Sequence, residues 1–169
     1  MALRQIRVYG DPILTKTSKE VKEMTPRLKA VIDDMTETMY SAQGVGLAAV
    51  QVGILKRIVV IDCGMDEPQL YVMINPVVTE TSGEQTGQEG CLSVPGKYGI
   101  VTRPMNVTVE YLDGDMQPQR LEAEGLLARA VMHECEHLDG EMYVRLVQDG
   151  LHDVAADDEE EEYEDGGEA

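Results

Sequence analysis

The five residues His133-Glu134-Cys135-Glu136-His137 have the composition and spacing of a metal site. Two histidines four positions apart lie within about 40° of each other around a helix, so both imidazoles face one point. Neutral imidazoles suit a divalent transition metal, and Glu134 is close enough to handle a proton from a water on that metal. The histidines also share the apolar stripe of Leu126 and Ala130. The pattern therefore predicts a metal site on an inward-facing helix, in preference to a chance match on a surface helix.

A catalytic metal site of this kind usually needs a third protein ligand and one open position. Proteases with the longer HExxHxxGxxH pattern would take a histidine where this chain has Tyr143. Other HExxH proteases take a glutamate from a later helix, but beyond Gly150 this chain continues as an acidic tail with no helix to position one. Both peptidase patterns therefore lack their third ligand here.

Cys91 is the candidate for that third position. It follows Gly90 on a segment that we expect to be extended, and a thiolate with two imidazoles suits zinc or iron(II). Cys135 points about 200° away from the histidines on the helix, and Cys63 ends a predicted strand. We expect these two thiols to pack in the core.

Two helices and several strands must position these residues. Apolar residues recur every three or four positions over Pro26–Gln43, with Thr25 as a predicted N-cap and Gly44 as the predicted stop. The second helix is predicted over Gly125–Leu138, with Gly140 at its C-terminal cap. Helix, strands and helix in this order indicate an α+β fold. Short β-branched or alternating runs predict strands at 57–62, 71–75, 105–112 and 119–123.

Charge and length limit the possible partners. The chain has 169 residues and a net charge of −18, which disfavours both nucleic acids and anionic membranes as partners. From Asp153 onward it holds ten acidic residues and no Lys or Arg. We predict one globular domain over residues 1–152 and a disordered acidic tail over residues 153–169. Three cysteines, an odd number, and an N-terminus without an apolar signal run favour a reduced, cytoplasmic setting.

Three segments together resemble the signature motifs of the peptide deformylase family. They are Gly44–Gln51 (GVGLAAVQ), Glu89–Ser93 (EGCLS) and His133–His137 (HECEH), in the family's order. The resemblance implies antiparallel or mixed sheets around a central HExxH helix, with the N-terminal helix packed on them. It also implies an enzyme that removes the N-formyl group from formyl-methionine of new polypeptides and releases formate.

The same resemblance implies roles for individual residues. Metal ligands would be Cys91, His133 and His137, holding iron(II) in the usual case, with zinc, nickel or cobalt able to substitute. Glu134 would act first as general base towards a water on the metal and then as acid towards the leaving amine. The oxyanion donors would be the side-chain amide of Gln51 and the backbone N–H of Leu92.

Substrate contacts follow from the same resemblance. The peptide would add as a strand beside Val45, Gly46 and Gly90. Leu126 and Ala130 are candidate walls of the methionine pocket, although ordinary core packing explains them equally well. After Pro95 the chain reads Gly-Lys-Tyr where several relatives have an arginine, and Arg103 is a candidate to replace it.

The expected partners are formylmethionyl peptides and nascent chains. Contact with the ribosome is disfavoured by the acidic tail, because RNA phosphates repel it. We expect a monomer without direct nucleic-acid or membrane binding. Two alternatives remain open: an HExxH zinc peptidase whose third ligand is not Cys91, and a non-catalytic acidic interaction module.

Overall fold

The computed structural model describes residues 2–64 and 66–154, and the predicted α+β class is confirmed. All six pairings between named strands are antiparallel. The helices are α1 (Pro26–Ser41) and α2 (Leu126–Leu138). The strands are β1 (Gly46–Ala48), β2 (Ile58–Asp62), β3 (Leu70–Ser82), β4 (Gln85–Cys91), β5 (Val94–Arg103), β6 (Asn106–Leu112), β7 (Pro118–Glu124) and β8 (Gln148–Asp153).

Helix α1 begins as its sequence predicts. The Thr25 hydroxyl accepts the Leu28 N–H at 3.1 Å, which satisfies one of the free donors of the first turn. The helix ends at Ser41, two residues earlier than predicted, and the Gly44 N–H then bonds to the Met39 carbonyl. Met35 and Met39 are fully buried against the sheet.

Strand β2 is the middle layer between the two helices. All five of its residues are buried, as expected for a strand that is covered on both faces. Val59 and Ile61 pack in the core cluster that includes α2, whereas Ile58 and Val60 pack in the cluster that includes α1. The five-stranded sheet has the order β1-β2-β3-β6-β7, so β1 is an edge strand.

A second sheet with the order β4-β5-β8 was not predicted as a sheet. Strand β4 is rich in Gly and Gln and carries little β-branched signal, so its sequence alone does not mark it. Strand β8 includes Asp153, which pairs with Lys97, so the first residue of the predicted acidic tail belongs to the sheet. Residues 155–169, on which the rest of the predicted tail falls, lie outside the described residues.

The N-terminal segment is anchored on α1. The backbone N–H of Ala2 donates to one carboxylate oxygen of Asp34 at 2.7 Å, and Arg4 Nε donates to the other at 3.0 Å.

Neither described helix is long and apolar enough to cross a membrane.

Candidate metal and catalytic site

Cys91, His133 and His137 bring their ligand atoms together. Cys91 is the last residue of β4, and the two histidines lie one turn apart on α2. His137 Nε2 is 3.4 Å from Cys91 Sγ and 3.2 Å from His133 Nε2, and all three ligand atoms lie within 4.8 Å of one another. One thiol and two imidazoles at this separation form a donor set that fits a tetrahedral transition metal with an open position.

Gly140 follows the C-terminal end of α2, three residues after the second histidine. Its φ of +77° is left-handed, and a Cβ there would lie 2.4 Å from the Thr15 carbonyl oxygen. Only glycine meets both conditions, so the predicted cap position is confirmed. The helix therefore stops where the N-terminal segment crosses it.

Glu89 fixes the orientation of the first histidine. Its Oε2 lies 2.7 Å from His133 Nδ1. Because an ionised carboxylate can only accept, the imidazole proton belongs on Nδ1, and the lone pair of Nε2 faces Cys91 and His137. This is the tautomer that a metal ligand requires.

Two arginines hold Glu89 in turn. Arg103 donates to both carboxylate oxygens, from Nε at 3.1 Å and from Nη2 at 2.7 Å, and Arg129 Nη1 donates to Oε1 at 3.0 Å. Burial alone would raise the pKa of Glu89, but the hydrogen bonds from His133 and Arg103 lower it to about 2. Glu89 therefore stays ionised at any pH at which the protein works.

The structure does not favour Arg103 as a substrate contact. Its side chain is 2% exposed and does not line the cavity described below. The guanidinium is engaged by Glu89 and by Glu136, whose Oε1 lies 2.7 Å from Nη1. An arginine on a β-strand can point to either face, and the sequence did not reveal that the buried Glu89 and the partly buried Glu136 lie on the inner one.

Glu134 contrasts with Glu89, because its Oε1 is buried and has no hydrogen-bond partner among the described residues. Burial raises the pKa of Glu134 to about 7, and the neighbouring charge of Glu89 adds to that rise. Its Oε2 passes over Gly46, where a Cβ would lie 2.5 Å away. A carboxyl with this pKa can both take up and release a proton near neutrality.

The side-chain amide of Gln51 has a fixed orientation. Oε1 accepts the Ala48 N–H at 2.9 Å, and Nε2 lies 2.9 Å from Ser93 Oγ and 3.5 Å from Cys91 Sγ. One amide N–H thus points towards the ligand cluster. Leu92, the other predicted oxyanion donor, follows Cys91 directly, and its side chain leaves no room for a Cβ on Gly44.

A cavity of about 550 Å³ opens beside these groups. It is lined by every predicted site residue except His137, which is fully buried behind His133. The predicted residues on its wall are Val45, Gly46, Gln51, Gly90, Cys91, Leu92, Leu126, Ala130, His133 and Glu134.

The two remaining thiols lie apart from the ligand cluster, as predicted. Cys63 and Cys135 pack against the core that includes α2. Burial, together with nearby carboxylates, raises the pKa of Cys63 to about 11 and that of Cys135 to about 12. Neither thiol is therefore a thiolate at neutral pH.

Sequence reasoning missed the groups that support the site. Arg129 is a buried charge in the otherwise apolar first half of α2 (Leu126–Met132), and such a charge requires a buried acid as partner. That signal was present and unused. The contact of Ser93 with Gln51 had no signal, since the two residues are 42 positions apart. A further neighbour of the site is Tyr143, whose ring centroid lies 5.6 Å from that of His133.

Comparisons with known proteins point to a single family. The family model described as polypeptide deformylase matches residues 3–150. The chain is 57% identical to the peptide deformylase of Lachnoclostridium phytofermentans, over 96% of this chain and 99% of that one. It is 59% identical to the peptide deformylase of Agathobacter rectalis, over 95% and 100% of the two chains.

Solved structures of similar proteins share the fold. A peptide deformylase from Legionella pneumophila superposes with a TM-score of 0.84 at 41% identity, covering 88% of each chain. A peptide deformylase from Synechococcus elongatus, solved in complex with actinonin, superposes with a TM-score of 0.81 at 44% identity. That match covers 85% of this chain and 78% of the other.

Proposed function

This chain belongs to the polypeptide deformylase family, and we propose that its reaction takes place in the cavity between β1, β4 and α2. It is a metal-dependent hydrolase that removes the N-formyl group from nascent peptides. The observation that carries the assignment of residues is the convergence of three ligand atoms beside a buried carboxyl without a partner.

The proposed metal ligands are Cys91, His133 and His137. A divalent ion held by these residues would supply an activated water and polarise the formyl oxygen. Iron(II) is the proposed native metal, with zinc, nickel and cobalt as possible replacements, because a thiolate and two imidazoles suit all of them. Glu89 supports the ligand set, since it keeps the His133 proton on Nδ1.

Glu134 is the proposed proton carrier. It takes a proton from the attacking water and gives it to the amine that leaves, for which a pKa of about 7 is well suited. The N–H of Gln51 and the backbone N–H of Leu92 donate to the formyl oxygen as negative charge develops there. No covalent nucleophile is needed, because a formyl carbon is small and open to attack by water.

The substrate peptide binds, in this proposal, as an added strand. Strands β1 and β4 are both edge strands of their sheets, and Val45, Gly46 and Gly90 line the cavity between them. Free backbone groups on an edge can pair with an extended peptide. Leu126 and Ala130, on the α2 wall, are the proposed contacts of the methionine side chain.

The broader proposals concern the whole chain. Helix α2 forms the centre of the fold, the catalytic domain covers residues 1–152, and an acidic extension follows. The protein acts in the cytoplasm as a monomer on formylmethionyl nascent chains. It binds neither nucleic acid nor membrane directly, and the acidic extension disfavours docking on the ribosome.

Formate release from a formyl-Met peptide tests this function. Protein purified without oxygen and loaded with iron(II) or nickel is expected to release formate. Glu134→Gln is expected to keep its metal and to lose about 10³-fold in kcat. Glu141→Gln, a change at an exposed acid on the surface, serves as the matched control.

Two outcomes would contradict the proposal. No formate release from protein that carries one metal per chain would redirect attention to unformylated peptides and the peptidase alternative. Full activity of Glu134→Gln would remove Glu134 from the mechanism while leaving the reaction itself in place.

A further inference from the structure

We propose that Ser93 is a positioning residue that holds the amide of Gln51 in the orientation required for oxyanion binding. The proposal rests on the function given above, because it concerns the donor that faces the formyl oxygen. A glutamine amide presents a donor on one side and an acceptor on the other. Only one of its two orientations can stabilise an oxyanion.

Two contacts select that orientation. The Ala48 N–H must have an acceptor, so it fixes Oε1 at 2.9 Å, and Ser93 Oγ accepts one N–H from Nε2 at 2.9 Å. The second N–H is then directed towards Cys91 Sγ, 3.5 Å away, where the ligand atoms converge. Gln51 and Ser93 are both almost completely buried, which makes an alternative partner in water unavailable.

Chain connectivity places Ser93 beside the metal ligand. Cys91 and Val94 pair with each other at the end of the β4–β5 hairpin, so Leu92 and Ser93 are its two turn residues. One tight turn therefore carries a metal ligand, a proposed oxyanion N–H and the hydroxyl that orients the other donor.

The N-terminal segment fixes the two backbones relative to each other. The Arg7 N–H donates to the Gln51 carbonyl at 2.7 Å, and the Tyr9 N–H donates to the Ser93 carbonyl at 2.7 Å. One short stretch of the N-terminal segment therefore binds both partners. Gln51 and Ser93 are thus joined twice, through their side chains and through this segment.

Steady-state kinetics of Ser93→Ala on a formyl-Met peptide test the role. We expect kcat to fall roughly 10-fold with KM and metal content unchanged, which is less than the 10²–10³-fold expected for loss of the donor itself. Ser93→Thr keeps an oxygen at the same position and is expected to retain at least half of the wild-type kcat. Ser18→Ala removes another buried hydroxyl, one that has no partner among the described residues, and is expected to leave kcat unchanged.

A double-mutant cycle with Gln51→Ala separates positioning from a general structural effect. If Ser93 acts through Gln51, adding Ser93→Ala to Gln51→Ala changes kcat less than about 2-fold. Effects that multiply would overturn the proposal, as would Ser93→Thr as slow as Ser93→Ala, or a Ser93→Ala enzyme with wild-type kcat. Failure of the deformylase function itself would be recognised separately, because the wild-type protein would then release no formate.

Discussion

Glu89 and Glu134 are two carboxyls of the same site with very different surroundings. Both carboxyls are buried, and both lie beside His133. Glu89 accepts hydrogen bonds from His133, Arg103 and Arg129, and its pKa is lowered to about 2. Glu134 has a buried oxygen without a partner, and its pKa is raised to about 7.

The difference separates a carboxylate that orients a metal ligand from a carboxyl that transfers a proton. A carboxylate whose lone pairs are all used cannot accept a proton near neutrality, but it can orient a ligand and balance buried cations. A carboxyl without partners pays a desolvation cost, and that cost brings its proton affinity into the useful range. The same residue type thus has two functions that only its neighbours distinguish.

Glu89→Ala should produce the largest loss. It leaves the guanidinium groups of Arg103 and Arg129 buried without their carboxylate, which we expect to lower the free energy of unfolding by about 3–5 kcal/mol. Metal affinity should also fall about 10–100-fold, since His133 loses its orienting acceptor. Urea unfolding and metal titration measure the two effects, with exposed Glu124→Ala as control. If Glu89→Ala lost no more stability and metal affinity than the control, Glu89 would not be what holds Arg103, Arg129 and His133 in place.

The pH dependence of stability should distinguish the two carboxyls by sign. Because the pKa of Glu134 is raised, its protonated form contributes stability below about pH 4.5, and this is lost as pH rises through about 7. Because the pKa of Glu89 is lowered, its contribution is present above about pH 4.5 and is lost as pH falls through about 2.

Urea unfolding of the metal-free protein at pH 5 and pH 8 tests the Glu134 half of this statement. As pH rises from 5 to 8, the free energy of unfolding of Glu134→Gln should rise by up to about 3 kcal/mol relative to that of the wild type. If variant and wild type differed in free energy of unfolding by the same amount at pH 5 and pH 8, the Glu134 carboxyl would not be forced to ionise in a buried environment.

Gly46→Ala should show the smallest change in stability. A new Cβ would lie 2.5 Å from Glu134 Oε2, at the flexible end of that side chain, so the carboxyl can move aside at a cost of about 1 kcal/mol. Formate release should fall about 10-fold or more, because Glu134 no longer reaches the attacking water. Gly114→Ala, where a Cβ meets nothing within 4 Å, is the matched control. Equal activity of the two variants would mean that the position of Glu134 over Gly46 is not important for turnover.

The sequence predicted those parts of the molecule whose signals are local. The helix over Pro26–Ser41 carries its own cap in Thr25, and the ligand spacing of His133 and His137 is a property of one helical turn. Strand β2 is similarly evident from its sequence, because four of its five residues are Ile or Val.

What the sequence did not predict depends on contacts between distant segments. Strand β4 has few residues typical of strands and is stabilised by its pairing with β5. Arg103 remained a candidate for substrate contact in the sequence because its two acidic partners, Glu89 and Glu136, lie 14 and 33 positions away. Charge complementarity of this kind becomes visible only when the elements are packed.

The position of β8 has a practical consequence for anyone who handles the protein. Asp153 pairs with Lys97, which lines the cavity, so a label attached to Val154 would lie close to the cavity wall. At the other end of the described chain, the Ala2 N–H is held by Asp34 on α1. A bulky label on Val154 would compete with incoming peptides for space. A fluorescent dye in the same place would report their arrival.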